Sequence, residues 1–168
     1  MSDAVYTTTY ASPIGRLTLA SDGKSITGLW TQDQAHFGAG LTDSAQPKDL
    51  PVFQATARWL DAYFAGKDPG KRPPLAPQGS PFRQAVWQAL LEIPHGKTIT
   101  YGDIARHLSA STGKSASPRA VGGAVGHNPI SILIPCHRVV GKDGSLTGYA
   151  GGIDAKKQLL ALEGAFTG

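Results

Sequence analysis

The stretch Ile132-Leu133-Ile134-Pro135-Cys136-His137-Arg138-Val139-Val140-Gly141 carries the only cysteine of the chain. Three apolar residues lead into a proline, and a histidine and an arginine follow the thiol. Pro135 has no N–H and a fixed φ, so Cys136 is expected in a rigid turn at the end of a buried segment, not mid-strand in a central sheet. Only the thiolate is a nucleophile, and cationic or imidazole neighbours lower a thiol pKa. His137 and Arg138 offer one of each. A lone cysteine packed as a small inert hydrophobe has the same local composition, so composition favours catalysis only slightly.

Helical patterns flank this stretch. Ser80 is placed to cap a helix that opens with Pro81, and Phe82, Val86, Ala89 or Leu90, and Ile93 line one face until Pro94 stops it. His95-Gly96-Lys97 turns the chain. Thr100-Tyr101-Gly102-Asp103 matches a capping box and opens a helix through Ile104, Ala105 and Leu108. Residues 109–116 read as a flexible connection. Ser117-Pro118 opens the next helix, Arg119 to Gly126, which Asn128-Pro129 ends. The pair reads as a helix-turn-helix with a long turn. Beyond the cysteine, Asp154 is expected to cap a last helix, with Leu159, Leu160 and Leu162 facing the core and Glu163 closing it before Gly164. A carboxylate in a last turn opposes the helix dipole. It needs a cationic or imidazole partner, for which His137 is the candidate.

The first half reads differently. Val5 to Tyr10, Arg16 to Ala20 and Ile26 to Trp30 alternate as strands, with turns at Ser12-Pro13-Ile14-Gly15 and Asp22-Gly23, which makes a small antiparallel meander. Residues 31–48 show no period and read as loop. From Pro51 a helical stripe runs through Val52, Thr56, Trp59 or Leu60, and Tyr63, with Asp49 placed to cap it and Gly66 to close it. Trp59, Tyr63 and Phe64 at this spacing read as core. Residues 66–80 hold four of the twelve prolines and three glycines, a linker composition. The fold class is therefore α/β: a small N-terminal antiparallel-sheet-plus-helix domain over 1–75, then a mainly helical domain with a helix-turn-helix over 80–168.

The chain has 168 residues, 40% hydrophobic and 17% charged, an ordinary globular composition. No run of 18 apolar residues and no basic-then-apolar start occurs, so neither a membrane span nor a signal peptide is expected. One cysteine cannot form an internal disulfide, which fits a cytoplasmic location. Residues 1–80 balance seven Lys/Arg with seven Asp/Glu, whereas residues 81–168 hold nine against five, so the whole net charge of +4 lies in the second half. A basic half suits a polyanion such as nucleic acid, although +4 is also a routine solvated surface. Neither a Walker phosphate loop nor a G-x-G-x-x-G pattern occurs, and no cluster has metal-ligand spacing, so no cofactor and no metal are expected.

Pro-Cys-His-Arg-Val, preceded by Ile-Leu-Ile and followed by Val-Gly, resembles the active-site signature of O6-alkylguanine-DNA alkyltransferases. Tyr101, Arg119, Asn128, the loop Gly148-Tyr149-Ala150-Gly151-Gly152 and Leu162-Glu163-Gly164 follow in the family's order and at about its spacing. The resemblance is strong over residues 80 to 164 and looser over 5 to 30. It implies transfer of an alkyl group from O6 of guanine in double-stranded DNA to Cys136, once per molecule, with O4 of thymine a second candidate position. It further implies a monomer in solution, with cooperative binding on DNA open. Guanine O6 is paired and stacked in a duplex, so the nucleotide must be rotated out.

The resemblance also implies roles. Glu163 orients His137, which polarises a water that deprotonates Cys136, and Asn128 holds the active-site turn. Tyr101 assists flipping and donates towards a ring nitrogen of the base. Tyr149, Ala150 and Gly151 wall the pocket, and carbonyls near Cys136 and Val139 read the exocyclic amine. Arg119 fills the gap in the stack. Local energetics alone leave Arg119 open between that task and a solvated arginine at a cost of about 0.3–1 kcal/mol. Gly122, Gly123, Ala124 and Gly126 let their helix approach either a neighbouring helix or a DNA groove. Ala150 stands where many relatives carry a serine, which removes one hydrogen bond to O6, and the cysteines that bind zinc in some animal relatives are absent. Two rivals are a damage sensor without transfer and a thiol hydrolase. His36, His95, His107 and His127 read as surface or structural residues.

Overall fold

The computed structural model describes residues 5–31, 45–113, 115–142 and 153–164. It is α/β, with an N-terminal sheet and helix followed by a helical half that carries a helix-turn-helix. Strands β1 (Tyr6–Ser12), β2 (Gly15–Ser21) and β3 (Ile26–Thr31) form the antiparallel meander, Thr9 opposite Thr18 and Leu19 opposite Leu29. A two-residue strand, β4 (Gln46–Pro47), pairs in parallel with β1, where the sequence reads as loop. The sheet order is β3-β2-β1-β4.

Helix α1 (Pro51–Phe64) buries Val52, Phe53, Thr56, Trp59, Leu60 and Tyr63. Asp49 does not cap it. Leu50 is the N-cap without a side-chain bond, and the Asp49 carboxylate accepts instead from Gln54 Nε2. Pro51 at the first position has no N–H to cap, which lessens the need for a side-chain acceptor. Ala65 closes the helix, and Gly66 follows at φ +76°. Residues 66–80 do not swing free. Ile26 N–H donates to Pro74 O and Ala76 N–H to Ile26 O, so this segment lies along the edge of β3. Prolines suit such an edge because alternate N–H groups point away from the ladder.

In the second half, α2 (Pro81–Leu91) is capped by Ser80, whose Oγ accepts from Arg83 N–H. Helix α3 (Tyr101–Thr112) carries the expected capping box, with Thr100 Oγ1 accepting from Asp103 N–H and Asp103 Oδ2 from Thr100 N–H. It runs past Leu108, through part of the segment expected to be a flexible connection. Ser111 and Thr112 donate their hydroxyls to Leu108 O, and Gly113 ends the helix at φ +72°. Serine and threonine compete with helical bonds elsewhere but here satisfy a carbonyl of the preceding turn. Helix α4 (Pro118–Gly126) packs on α2 and α3 and is capped by Ser117. Asp154 does not cap α5 (Ile153–Leu162) but is its second residue, inside the first turn. A two-residue parallel pair, β5 (Ile99–Thr100) with β6 (Val139–Val140), ties the start of α3 to the strand leaving the cysteine turn.

One core joins both halves, with Leu17, Leu29 and Leu60 on one side and Val86, Leu90, Val121 and Leu133 on the other. Trp87 Nε1 donates to Ala124 O, which fixes α2 against α4. The edge of β3 reaches further: Leu29 N–H donates to Pro129 O, and Ser131 N–H to Leu29 O. The sheet is thus hydrogen-bonded to the segment that delivers the cysteine. Among the described residues no helix is long and apolar enough to cross a membrane.

Candidate active site

Cys136 sits where two tight turns meet a single 3-10 turn, Cys136–Arg138. Leu133 N–H donates to Ser131 O across Ile132, whose φ is +71°, a region costly for a β-branched residue. Cys136 N–H donates to Ile134 O across Pro135, at φ −80° and ψ 64°, the geometry of an inverse γ-turn. The expected rigid turn at the end of a buried segment is present. Asn128 braces it: its Nδ2 donates to Ile134 O at 2.9 Å, and its Oδ1 accepts from Ile130 N–H at 3.0 Å. All of Ile130 to Val140 is buried, so the strained Ile132 is held by packing on every side.

The thiol is 2% exposed. Burial pushes its pKa up to about 11, and the Asn128 amide, the Lys156 ammonium and backbone N–H groups offset part of that rise. His137 and Arg138 are not the groups that face the sulfur with charge. Arg138 donates from Nε to Glu163 Oε1 at 2.7 Å and from Nη1 to Ile93 O at 2.7 Å. Its guanidinium is a buried partner of a carboxylate and a clamp on the end of α2. The cation near the thiol is Lys156 on α5, 1% exposed, whose Nζ donates to Val139 O at 2.5 Å. Burial lowers the Lys156 pKa, and the cysteine works against that shift.

Glu163 collects four donors. Its Oε2 accepts from Tyr63 Oη at 2.6 Å and lies 2.5 Å from His137 Nε2, and its Oε1 accepts from Arg138 Nε and, at 3.4 Å, from Gly96 N–H. Burial alone would raise this carboxyl, but hydrogen bonds from His137, Arg138 and Tyr63 hold it well below the usual carboxylate range. His137 is fully buried, and desolvation lowers its pKa despite the carboxylate. A neutral imidazole facing a carboxylate carries its proton on Nε2. Any action on the thiol therefore runs through Nδ1, as a base.

The structure places the other sequence-derived residues as follows. Val139 follows the cysteine turn, its N–H donating to Cys136 O, and its carbonyl, already bound to Lys156, keeps a second lone pair. Tyr101 opens α3, half-buried, and a Cβ built on Gly122 would lie 3.9 Å from its ring. Gly122 therefore has ordinary room. Cβ atoms on Gly123 and Gly126 would meet nothing within 4 Å among the described residues, so contact with a neighbouring helix does not dictate these glycines. Arg119 is exposed in the first turn of α4. Tyr149, Ala150 and Gly151 lie outside the described residues, as does His36. His95 meets the Tyr63 ring edge-on at 6.2 Å, His107 lies 3.9 Å from Glu92, and His127 Nδ1 lies 2.8 Å from Gly123 O.

Three residues of this cluster escape sequence reasoning. Tyr63 reads as core, because nothing local tells where its hydroxyl ends. Arg138 reads as a neighbour of the thiol. Lys156 alone leaves a trace: with Leu159, Leu160 and Glu163 it forms an i, i+3, i+4, i+7 stripe, a lysine on a buried face.

A buried thiol, an imidazole fixed by a carboxylate, and a helix-turn-helix whose second helix is glycine-rich with one exposed face define a cysteine-centred protein of the nucleic-acid-binding class. Comparison with known proteins makes this specific. The ribonuclease-like domain of 6-O-methylguanine DNA methyltransferase matches residues 5–76, and the DNA binding domain of 6-O-methylguanine DNA methyltransferase matches 81–165. The chain belongs to this family. A methylated-DNA--protein-cysteine methyltransferase of Haemophilus influenzae is 46% identical over 161 residues, 95% of this chain and 87% of that protein. The crystal structure of Mycobacterium tuberculosis OGT in complex with DNA superposes with a TM-score of 0.83 at 43% identity, covering 95% of this chain and 93% of the other. An O6-methylguanine DNA methyltransferase from Methanococcus jannaschii gives 0.64 at 27% identity, with 95% of each chain covered.

Proposed function

We propose that this chain is a direct-reversal DNA repair methyltransferase that moves an alkyl group from O6 of guanine in double-stranded DNA to Cys136. The observation that carries the reading is the sole cysteine, held in a braced turn beside an imidazole whose Nε2 is fixed by a buried carboxylate. In this scheme His137 Nδ1 takes the thiol proton through a water. Sγ then attacks the alkyl carbon, the carbon–O6 bond breaks, and its electron pair passes into the guanine ring. Tyr101 donates towards a ring nitrogen, making guanine a better leaving group. Asn128 acts by holding the turn. The second lone pair on Val139 O and the Cys136 carbonyl read the exocyclic amine, and Tyr149, Ala150 and Gly151 wall the pocket.

On the DNA side, exposed Gly123 and half-buried Gly122 and Gly126 on α4 leave a flat face for the groove, and Gly122 lies beside Tyr101. Arg119 fills the stack behind the flipped nucleotide. We further propose a domain division at 1–75 and 80–168, a monomer in solution that binds DNA with or without cooperativity, and a cytoplasmic site of action. O4-alkylthymine is a second candidate substrate. A sensor without transfer has no use for a braced, base-equipped thiol, and a thiol hydrolase has no use for the helix-turn-helix. Incubation with duplex DNA carrying labelled O6-methylguanine separates the three: transfer leaves label on the protein, a sensor binds the duplex and leaves the label on it, and a hydrolase neither binds the duplex nor moves the label.

Two expected results arise here. Arg119→Ala slows transfer from duplex substrate at least tenfold more than transfer from free O6-methylguanine, because a free base needs no flipping (about 1.4 kcal/mol of differential barrier). Equal losses on both substrates would contradict the role. Exhaustive chelation leaves the melting temperature and the transfer rate unchanged, since among the described residues no group of three His, Cys, Asp or Glu is placed to hold a metal. A loss restored by adding back zinc would overturn it.

A further inference from the structure

We propose that Tyr63, on the helix of the N-terminal half, is a positioning residue of the active site, its hydroxyl setting how strongly Glu163 holds His137. The inference rests on the function proposed above for His137. Tyr63 and Glu163 are 100 positions apart, yet Tyr63 Oη donates to Glu163 Oε2 at 2.6 Å, the oxygen that also faces His137 Nε2. The hydroxyl lies 3.5 Å from Nε2 itself. Two donors thus share one oxygen. A carboxylate oxygen that gives lone-pair density to a phenol has less to give an imidazolium, so the hydroxyl keeps His137 easier to hold neutral. A neutral His137 is the form that can accept the thiol proton.

The ring is fixed independently of the hydroxyl. It stacks on Trp59 at 5.3 Å and meets Phe64 edge-on at 5.2 Å and His95 at 6.2 Å. Tyr63→Phe therefore removes the donor and keeps these ring contacts. The charged surroundings of His137 are otherwise set by Glu163 after α5, Arg138 in its own turn and Lys156 on α5, with Cys136 adjacent. Arg72, half-buried in the segment along β3, adds a cation that Glu163 and Arg138 both feel. The N-terminal half thus enters the site twice, by the hydroxyl and by the backbone bonds of Leu29 to residues 129 and 131.

The test uses the full chain in three forms: native, Tyr63→Phe, and with 3-fluorotyrosine at position 63, whose more acidic phenol is a stronger donor in the same shape. Imidazole 15N shifts of His137 and single-turnover transfer from O6-methylguanine duplex are each followed against pH. Losing the donor frees Oε2 to hold the imidazolium. The His137 titration and the acid limb of the transfer profile should then move together to higher pH in Tyr63→Phe, by about half a unit or more. In the fluorotyrosine protein both should move to lower pH. Opposite signs cannot come from a packing defect. Unmoved 15N titrations in both variants would overturn the proposal, and so would an imidazole titration that moves while the transfer profile stays. Should Tyr63→Phe fail to fold, the fluorotyrosine protein decides alone. Absence of transfer by the native chain would sink the proposed function, while the 15N readout would still judge the contact.

Discussion

Glu163→Gln should cut the transfer rate by about 10³- to 10⁴-fold while costing about 3–5 kcal/mol of stability, and the two losses should separate genetically. The carboxylate accepts at both oxygens: Arg138 Nε and Gly96 N–H at Oε1, Tyr63 Oη and His137 Nε2 at Oε2. A glutamine keeps one acceptor and turns the other into a donor. Arg138 and the backbone N–H cannot become acceptors, so the amide nitrogen must face Tyr63 and His137. The phenol can rotate to accept, and the imidazole can accept at Nε2 only by moving its proton to Nδ1. That is the wrong tautomer for a base acting on Cys136 through Nδ1. Meanwhile Arg138, 4% exposed, loses its counter-charge, and a stranded buried cation takes a large share of the ~5–15 kcal/mol that holds a domain together.

Adding Arg138→Leu to Glu163→Gln removes the stranded charge and should recover much of the stability in urea unfolding, although the clamp on Ile93 O is lost. Transfer should stay low, because the tautomer is unchanged. A Glu163→Gln protein with native transfer at neutral pH would rule out the imidazole as the base. Recovery of transfer with stability in the double variant would show that the carboxylate acts only by holding the fold.

The parts of this molecule that were legible from sequence are those decided within a few residues. Thr100 and Asp103 satisfy each other's backbone, and Ser80 and Ser117 each accept from the N–H three positions on. Such caps are local chemistry, and they set the starts of α2, α3 and α4. The alternation of Leu17, Leu19 and Leu29 set the meander by the same logic. Where a local rule met a competitor it failed. Asp49 found Gln54 in place of the helix N-terminus, and the hydroxyls of Ser111 and Thr112 extended α3 through residues that composition marks as loop.

The site divides in the same way. Cys136 and its turn were legible because proline geometry and a run of apolar residues act over a few positions, whereas the bracing role of Asn128 came only from the family resemblance. The electrostatics were not. Sequence adjacency suggested that His137 and Arg138 would acidify the thiol. In the fold both turn to Glu163, burial drives the thiol the other way, and the nearby cation comes from Lys156, twenty positions on. Which charges face each other is a property of packing between α1, α5 and the cysteine turn, and no short-range pattern encodes it.

Cys136 should react once and remain alkylated. Attack on the alkyl carbon leaves a thioether, which has no carbonyl for water to attack, so the intermediate logic of an acyl-enzyme does not apply. There is no second cysteine to receive the group. With excess O6-methylguanine duplex, the product should plateau at one alkyl group per protein molecule, and an intact-mass spectrum should show Cys136 heavier by that group. Cys136→Ser should abolish transfer, since a serine hydroxyl is a far poorer nucleophile towards saturated carbon and is still less easily ionised where burial already lifts a thiol to about 11. The same burial gives the alkylated protein a second signature. Cys136 is 2% exposed, and its chain neighbours Leu133, Ile134 and Val139 are fully buried. An added methyl puts extra atoms at a buried position, and overpacking of this kind costs about 1–3 kcal/mol. The alkylated form should melt several degrees below the unreacted one, by about 2–4 °C per kcal/mol for a chain of this size. Many turnovers per molecule, or label on any residue but Cys136, would overturn the reading of this protein as a stoichiometric acceptor.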